Sequence, residues 1–381
     1  MKVFYWSPFT SKVATITAVI NSAESLQKFS NNKIKSYIIN VFGEWNDYVE
    51  NIKNKNIKLI YLSKFDLRKF LFCTGFIRSR LSYIFIYFYY FFLLLKILKK
   101  DEPNFLVIHL ITSLPLTLLA MFNLKTKFIL RISGYPKLNF VRKIFWKLLS
   151  KKIYKITFPT KETYKLFAQQ KIFDINKMFV VYDPVLDINV INRKKSLQIK
   201  DTISKNSQYI LSVGRFTKQK NFEFLIKSFS EILKKYPSIK LFIIGQGELK
   251  EKYQKLLKDL SLNEQVALLE YQENIYQFMS ESICTVIVSL WEDPGFVMIE
   301  SAATNTVIIS SNCTSGPKEF IDNNSAGYLF RTNDQQNFLD TFDNFMTDSK
   351  DTIIKKKISA KKNANAFTRF RHYKVFSQLL N

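Results

Sequence analysis

Short runs of β-branched and aromatic residues alternate with amphipathic stretches along the first half of the chain. Such runs predict strands, and apolar positions that recur every 3.6 residues predict helices. The predicted strands are 3–6, 36–42, 57–62, 105–109, 128–131, 156–159 and 178–182, with amphipathic stretches such as 13–29 and 141–149 between them. This alternation predicts an α/β fold whose parallel sheet is covered by helices on both faces.

The same alternation restarts in the second half. Strands are predicted at 209–213, 240–244, 266–269, 284–289 and 307–310, and helices at 222–236, 249–260 and 297–304. The polar stretch 186–206 has no sustained apolar period, so we interpret it as a linker. The stretch 360–380 has a helical pattern. We therefore predict two Rossmann-like, doubly wound domains, 1–185 and 186–365, with residues 366–381 packing back on the first. A ligand is expected between the domains, at the carboxyl ends of the strands.

Composition supports a folded protein with anionic partners. A length of 381 residues exceeds one ordinary hydrophobic core, and 47% hydrophobic residues argue against extensive disorder. The formal net charge of +26 should attract nucleotides, nucleic acid or acidic lipid. The abundance of Lys, Asn, Ile and Phe is also typical of a compositionally biased genome, so the charge alone identifies no partner.

Three further features bear on location and cofactors. The cysteines Cys73, Cys284 and Cys313 share no metal-ligand spacing, so we expect neither a disulfide framework nor a metal site. The chain starts on a predicted strand without a signal-peptide pattern, from which we expect a cytoplasmic protein. The stretch 81–95 is uncharged and flanked by basic residues. It is shorter than the roughly 20 residues of a membrane span, which leaves a buried helix or a helix on the membrane surface.

The block from Glu292 to Glu300 carries the strongest chemical pattern. A predicted strand ends before Glu292, a turn with Pro294 and Gly295 follows, and a helix then begins. The free N–H groups at a helix start favour an anionic diphosphate, and the two carboxylates can accept hydroxyl hydrogens from a sugar. Spacing alone favours reading Glu292 and Glu300 as two ordinary solvated charges.

Two glycine-bearing loops follow other predicted strands of the second half. Gly214 and Arg215 come directly after strand 209–213, with Lys220 five residues beyond Arg215, and these cations suit phosphate recognition. Gly245 and Gly247 form a tight turn after strand 240–244, which permits close approach of a ligand. A third spaced glycine and a partner acid are missing, so the turn does not predict NAD binding.

In this order, the motifs over residues 209–330 resemble the donor domain of glycosyltransferase family 4, a group 1 family of GT-B fold. The resemblance also includes Gly316-Pro317-Lys318-Glu319-Phe320 and Gly327-Tyr328-Leu329-Phe330. It implies a metal-independent, retaining enzyme without a cofactor that uses a nucleotide-diphosphate sugar, of UDP or GDP type, in a surface-polysaccharide pathway. The implied acceptor is a polyprenyl-diphosphate-linked glycan or a glycolipid at the inner face of the plasma membrane.

The resemblance also implies roles for single residues. Arg215, Lys220 and Glu292 are expected to be catalytic, the two cations at the departing diphosphate and Glu292 at the transferred sugar. Glu300 is expected to hold the ribose, and the loop 271–274 to face the base. The remaining expected donor contacts are Gly214, Gly245, Gly247, Gly295, Phe296 and Val297.

The sequence departs from the family at two places. The block reads Glu292-Asp293-Pro294-Gly295 where the commoner form is Glu-Gly-Phe-Gly, which puts the placement of Glu292 in question. The first strand is followed by Ser7-Pro8-Phe9 without a glycine pair, and Arg131-Ile132-Ser133 replaces a pocket histidine. Candidate acceptor contacts in the first half are Ser7, Phe9, His109, Arg131 and Ser133. A structural role remains the alternative for His109.

Two other functions fit parts of the pattern. A nucleotide-sugar epimerase of the same fold would need acid and base carboxylates from the first half, which shows no convincing pair. A nucleic-acid-binding protein would explain the charge, yet the basic residues are scattered and no binding module is visible. The nucleotide base, the sugar, the acceptor and the oligomeric state are not readable from the sequence.

Overall fold

The computed structural model describes residues 1–10, 13–63, 65–68, 76–132, 134, 138–197 and 208–381, with the backbone alone over 76–80. The chain divides into two compact units. Unit 1 comprises Met1–Pro184 and Arg369–Asn381, and unit 2 comprises Val185–Thr368. Each unit contains one parallel sheet flanked by helices, which confirms the predicted α/β class.

Unit 1 is built on a seven-stranded sheet in the order β3-β2-β1-β4-β5-β6-β7. Its strands are β1 Lys2–Trp6, β2 Lys35–Asn40, β3 Lys58–Tyr61, β4 Phe105–Ile108, β5 Lys127–Arg131, β6 Lys155–Phe158 and β7 Met178–Val180. Its helices are α1 Ala14–Phe29, α2 Val49–Asn54, α3 Phe76–Asp101, α4 Ser113–Met121, α5 Phe140–Leu149 and α6 Lys161–Gln170. Both faces of the sheet are covered, which is why its central strands are continuously apolar.

Successive side chains of each strand in unit 1 point to opposite faces of the sheet, and each face is covered by its own layer of helices. Phe4 and Trp6 of β1 belong to a core with α3, α4, α5 and α6. Val3 and Tyr5 face the opposite layer, where α1 and α2 pack. The helices α3, α4, α5 and α6 therefore lie side by side on one face of the sheet.

Unit 2 repeats this plan with a six-stranded sheet in the order β10-β9-β8-β11-β12-β13. Its strands are β8 Tyr209–Val213, β9 Lys240–Ile244, β10 Val266–Leu269, β11 Cys284–Ile287, β12 Val307–Ser311 and β13 Tyr328–Phe330. Its helices are α7 Ile188–Lys195, α8 Phe222–Lys235, α9 Lys250–Asp259, α10 Ile275–Glu281, α11 Phe296–Ala303, α12 Gly316–Ile321, α13 Gln335–Thr347 and α14 Lys350–Ala364. A final helix, α15 Arg369–Gln378, belongs to unit 1.

The strand order reverses once in each sheet. In unit 1 the reversal lies between β1 and β4, and in unit 2 between β8 and β11. Loops that leave the carboxyl ends of these strands diverge in opposite directions, which opens a crevice where ligands bind in sheets of this type.

The structure corrects several local predictions. The linker expected at 186–206 contains α7, because Asp187 caps the helix by accepting from the backbone N–H of Val190 and Ile191 is buried. The helix expected at 360–380 is two helices, α14 and α15, with a 3₁₀ turn at Asn365–Phe367 between them. The short strand β13 was not predicted, since three residues give too little alternation to recognise.

The apolar stretch 81–95 lies inside α3, which is longer than the pattern indicated. One side of the helix packs in the core of unit 1 through Ile86, Tyr90, Leu94 and Leu98. The opposite side is exposed, so the stretch is neither wholly buried nor wholly on the surface.

Candidate functional site

The predicted donor residues lie on four loops at the carboxyl edge of the sheet in unit 2. These loops follow β8, β9, β10 and β11, which are neighbouring strands that include the reversal point, and Glu300 lies on the helix after the last of them. Parallel strands deliver their carboxyl ends to one edge, so residues distant in sequence meet there.

The loop after β8 and the glycine turn after β9 pack directly on each other. The backbone N–H of Phe216 donates to the carbonyl of Gln246 at 2.9 Å, and that of Leu249 donates to the carbonyl of Phe216 at 3.0 Å. A Cβ atom at Gly245 would lie 1.9 Å from the carbonyl oxygen of Gly214. Glycine is therefore required at residue 245 by the close approach of two backbones.

Lys220 and Glu292 form the central ion pair of this edge. The Lys220 Nζ lies 2.5 Å from Glu292 Oε1, and the two side chains are only 16% and 8% exposed. The hydroxyl of Ser289 donates to the same oxygen at 2.6 Å. Within the described residues no hydrogen bond is found to Glu292 Oε2, which leaves that oxygen available to a ligand hydroxyl.

Backbone hydrogen bonds hold Glu292 between the neighbouring loops. Its N–H donates to the carbonyl of Thr314, and its carbonyl accepts from the N–H of Ser315, both at 2.8 Å. The loop after β11 is also tied to the loop after β8, because the N–H of Leu290 donates to the carbonyl of Gln219 at 2.9 Å. The turn with Pro294 therefore places Glu292 beside Lys220, which was uncertain from the sequence.

Helix α11 begins at the same edge without a side-chain cap. Gly295 is its N-cap residue and has a positive φ of 93°. In the part of the chain that the structure describes, the backbone N–H groups of Gly295, Phe296 and Val297 have no hydrogen-bond partner. Free N–H groups at a helix start bind anions such as phosphate.

Glu300 lies on α11, partly buried, with the hydroxyl of Tyr276 donating to its Oε1 at 3.4 Å. Burial is the main influence on this carboxyl group and raises its pKa to about 7, while the hydrogen bond from Tyr276 acts in the lowering direction. The carboxyl group is therefore near its titration midpoint at neutral pH, which suits a group that exchanges hydrogen bonds with a ligand.

Two further predicted donor contacts are exposed. Arg215 follows Gly214 on the surface of unit 2, and among the described residues its guanidinium has no ion pair. In the loop 271–274, Tyr271 is 73% exposed. Both are accessible to a ligand, and their roles stay predictions.

Unit 1 has a cavity of about 650 Å³ at the carboxyl edge of its sheet, lined by Phe9, His109 and Arg131 among others. His109 is buried, and burial together with the nearby charge of Arg131 holds its pKa well below the usual value. In the described part of unit 1 its Nδ1 and the buried hydroxyl of Ser7 have no hydrogen-bond partner. A neutral imidazole and a free hydroxyl are suitable partners for a sugar hydroxyl.

Arg131 and Ser133 differ from the other acceptor candidates. The Arg131 guanidinium is buried and donates to the Val181 carbonyl at 2.5 Å and to the Asp183 carboxylate at 2.6 Å. Its hydrogen-bonding groups thus stabilise unit 1 itself. Ser133 lies outside the described residues.

Sequence reasoning missed three residues of the donor edge. Ser289 and Tyr276 contact the two carboxylates, and Gln219 donates through its side chain to the Trp291 carbonyl at 2.8 Å. Only Ser289 left a signal, because it ends a predicted strand three residues before Glu292. The described residues hold no cluster of three or more His, Cys, Asp or Glu side chains for a metal ion.

Parts of the chain are similar in sequence to known glycosyltransferases. Residues 194–366 match the family model described as glycosyl transferases group 1. An uncharacterized glycosyltransferase of Methanocaldococcus jannaschii is 32% identical over 245 residues, which are 60% of this chain and 60% of that protein. The alignment thus spans less than two thirds of that relative.

A Campylobacter jejuni relative is named N-acetylgalactosamine-N,N'-diacetylbacillosaminyl-diphospho-undecaprenol 4-alpha-N-acetylgalactosaminyltransferase. It is 26% identical over 256 residues, which are 66% of this chain and 68% of that protein.

Two solved structures share the fold over the whole chain. A glycosyltransferase from Rickettsia africae superposes with a TM-score of 0.79 at 15% identity, covering 100% of this chain and 97% of that chain. Anabaena HepE in complex with UDP and glucose superposes with a TM-score of 0.73 at 13% identity, covering 100% of this chain and 99% of that chain. The expected GT-B fold of two Rossmann-like domains is confirmed.

Proposed function

We propose that the chain is a retaining, metal-independent glycosyltransferase, since residues 194–366 match the family model described as glycosyl transferases group 1. It takes the sugar from a nucleotide-diphosphate sugar bound at the carboxyl edge of unit 2. The observation that carries the proposal is the meeting of Lys220, Glu292 and the uncapped start of α11 at the reversal point of the sheet. UDP is the first nucleotide to test, since Anabaena HepE has been solved with UDP and glucose.

In this proposal the diphosphate lies against the start of α11. The N–H groups of Gly295, Phe296 and Val297 donate to it, and Arg215 and Lys220 neutralise the charge that grows on the leaving group. Lys220 is shared between the diphosphate and Glu292, whose Oε2 accepts from a hydroxyl of the transferred sugar. Glu300 accepts from the ribose.

The chemical step needs little from the protein beyond this charge stabilisation. The bond between the anomeric carbon and the diphosphate oxygen breaks, and the acceptor hydroxyl attacks from the same face. The departing phosphate oxygen takes the hydroxyl proton, and attack from the same face retains the anomeric configuration. Stabilising the leaving group is then the largest contribution of Arg215 and Lys220.

The proposed acceptor is a lipid-linked glycan of a surface-polysaccharide pathway. The Campylobacter jejuni relative supports it, since its name specifies a diphospho-undecaprenol acceptor. The cavity of unit 1 supports it as well, because His109 lines it and, within the described residues, its Nδ1 has no hydrogen-bond partner. An acceptor of this kind would put the enzyme at the inner face of the plasma membrane.

A thermal-shift comparison of UDP, GDP, ADP and CMP tests the donor site. A ligand that binds only the native state raises the melting temperature, by several degrees at about 100 times Kd. We expect one nucleoside diphosphate to give a selective shift that Arg215→Ala removes. Lys258→Ala is the matched control, since it removes a surface cation near the end of α9, at the opposite edge of the sheet. Absence of a shift with all four nucleotides would reject the proposal.

A further inference from the structure

Helix α3 presents an apolar stripe to solvent. Leu81, Phe85, Phe88 and Phe92 recur every three or four residues, and Phe88 and Phe92 are 72% and 70% exposed. Such spacing puts the four side chains on one side of the helix. Farther along the same side lie the exposed Lys96 and Lys99.

Length and composition alone would let part of α3 cross a membrane. Within Leu81–Asp101, the most apolar window of 18 residues has a mean hydropathy of 1.9. Its opposite side, however, fills the core of unit 1 through Ile86, Tyr90, Leu94 and Leu98. A helix anchored along its length on a sheet can meet a bilayer only with its outer side.

Helix α5 has a second exposed apolar stripe. It consists of Phe140, Val141, Ile144 and Leu148, of which Val141 and Leu148 are 74% and 73% exposed. Trp146 and Leu149 point the other way into the core. The helix is thus apolar on both sides, which a surface helix of a soluble protein rarely is.

The two stripes belong to one face of unit 1. Both helices pack on the same side of the sheet and contact α4 between them. Tyr83 of α3 and Val141 of α5 also line the cavity that contains His109. The α5 stripe therefore borders the proposed acceptor cavity, and α3 reaches the cavity through Tyr83, near its first turns.

Positive charge dominates this region. No Asp or Glu occurs between Glu102 and Glu162. Helix α5 carries Arg142, Lys143 and Lys147 without an acidic residue, and Lys151 and Lys152 follow it. A basic rim around apolar side chains is the combination that binds anionic lipid.

We propose that the exposed stripes of α3 and α5 form one docking surface for an anionic lipid bilayer, the docking face. Its aromatic side chains enter the headgroup region while the lysines contact lipid phosphates. The cavity of unit 1 then opens toward the membrane, where a lipid-linked acceptor presents its head group without leaving the bilayer. The acceptor part of this inference rests on the proposed function, and the bilayer part does not.

Charge favours the bilayer over a second copy of the chain. A symmetric dimer through the docking face would bring two basic rims together, which is unfavourable. An anionic surface attracts the same rim, and each Lys or Arg close to the surface adds to the attraction.

Vesicle flotation of the full chain tests the docking face. The probes are phosphatidylcholine vesicles with and without about 30% phosphatidylglycerol. One variant combines Phe88→Glu with Phe92→Glu on α3, and another combines Val141→Glu with Leu148→Glu on α5. The control combines Ile354→Glu with Ile358→Glu, which adds the same charge to exposed apolar positions of α14 in unit 2.

We expect wild-type protein and the control to float with the anionic vesicles, and each docking-face variant to bind at least about tenfold more weakly. The thermal shift with nucleotide should persist in all variants, which shows that they are folded. Equal binding of all variants, or no binding of wild-type protein, overturns the inference. A wild-type dimer that only the docking-face variants dissociate would identify a second copy as the occupant and overturn it too. If the proteins float as expected but no nucleotide raises the melting temperature, the proposed function is rejected and the docking face is still supported.

Discussion

At the scale of single residues, the two carboxylates of the donor edge have different surroundings. Glu292 is paired with Lys220 at 2.5 Å, so the positive charge of Lys220 compensates the negative charge of the Glu292 carboxylate. Glu300 has no such cation among its described contacts, and burial raises its pKa to about 7. The proton on Glu300 therefore competes with the ribose hydroxyls that this side chain is proposed to bind.

This competition predicts a pH dependence of nucleotide binding. Ionised Glu300 accepts hydroxyl hydrogens better than the protonated acid, so affinity should rise as the pH increases through about 7. In Glu300→Gln the affinity should be lower and this rise should be missing. Calorimetric titration with the nucleotide from pH 6 to 8 measures the affinity of both proteins. Because the nucleotide phosphate titrates in the same way with both proteins, the pH profile of the variant serves as the correction for the phosphate. The same pH profile in both proteins would remove Glu300 from the ribose site.

His372 lies in a basic C-terminal stretch of the sequence, which favours a surface position, and the structure corrects that interpretation. It is buried in unit 1, where its Nδ1 lies 2.8 Å from the Tyr182 carbonyl and its Nε2 lies 2.8 Å from the Ser22 hydroxyl. In this arrangement the neutral ring donates through Nδ1 and accepts through Nε2. Burial lowers its pKa to about 3.

The lowered pKa of His372 predicts acid sensitivity of unit 1. Between its unfolded pKa of about 6.5 and its folded pKa, the unfolded state binds more protons, so stability falls as the pH decreases. At pH 5 the loss from His372 is about 2 kcal/mol. We expect His372→Gln to be less stable than wild-type protein at pH 7, by about 1–3 kcal/mol, and nearly equal to it at pH 5.

Urea unfolding followed by tryptophan fluorescence measures this difference. Trp6, Trp45 and Trp146 are buried in unit 1, so the signal reports mainly on that unit. A stability difference that stays constant from pH 7 to pH 5 would mean that His372 is protonated in the folded state.

At the scale of elements, the donor edge depends on loops that support one another across adjacent strands. The turn after β9 touches the loop after β8, and the loop after β11 bonds to the loop after β12. Each loop is short and begins at the end of a buried strand. The sheet therefore limits the movement of the residues at its edge. A substitution that displaces one loop should therefore also displace the loop that packs against it.

Gly245→Ala should destabilise unit 2 and displace the Gly214 loop. The added methyl group would lie 1.9 Å from the Gly214 carbonyl oxygen, which is backbone and cannot move alone. We expect a loss of about 2–4 kcal/mol and weaker nucleotide binding. Thermal unfolding by circular dichroism measures the loss. Gly134→Ala is the control, because none of the described residues lies within 4 Å of its added Cβ and its φ of 73° is the conformation that opposes the change. A similar loss in both variants would make backbone strain, and not the close approach, the reason for glycine at 245.

At the scale of the whole molecule, the chain enters unit 1, passes through unit 2 and returns to unit 1 in α15. The return is anchored by Arg369, whose guanidinium lies 2.8 Å from the Glu24 carboxylate, and by Phe376, Leu379 and Leu380 in the core beside α1. The last residues are therefore part of the first unit's core.

Removal of residues 369–381 should destabilise unit 1 while unit 2 stays folded. Burial of three large apolar side chains contributes about 1.5–3 kcal/mol each, so the tryptophan transition should move to much lower urea. Phe376→Ala should reproduce part of the effect, about 3–5 kcal/mol, and Val375→Ala, which is exposed, should not. An unchanged tryptophan transition in the truncated chain would contradict this role.

The sequence by itself determined the fold class and most strands, because a buried parallel strand needs a continuous apolar run that is visible in any single chain. Strands β8, β9 and β10 were predicted with their observed bounds. The donor motifs were also readable, since each follows the end of such a strand. Short or irregular elements such as β13 and α7 were not, because so few residues carry no clear period.

Only the tertiary structure decided which side chains meet. Lys220 and Glu292 are 72 residues apart, and the strand order puts them in contact. The same folding buried His372 and supplied Tyr276 to Glu300, and it left the outer sides of α3 and α5 exposed on one face. Hydrophobic pattern specifies whether a segment is buried, whereas contacts between distant segments depend on how the sheet orders its strands.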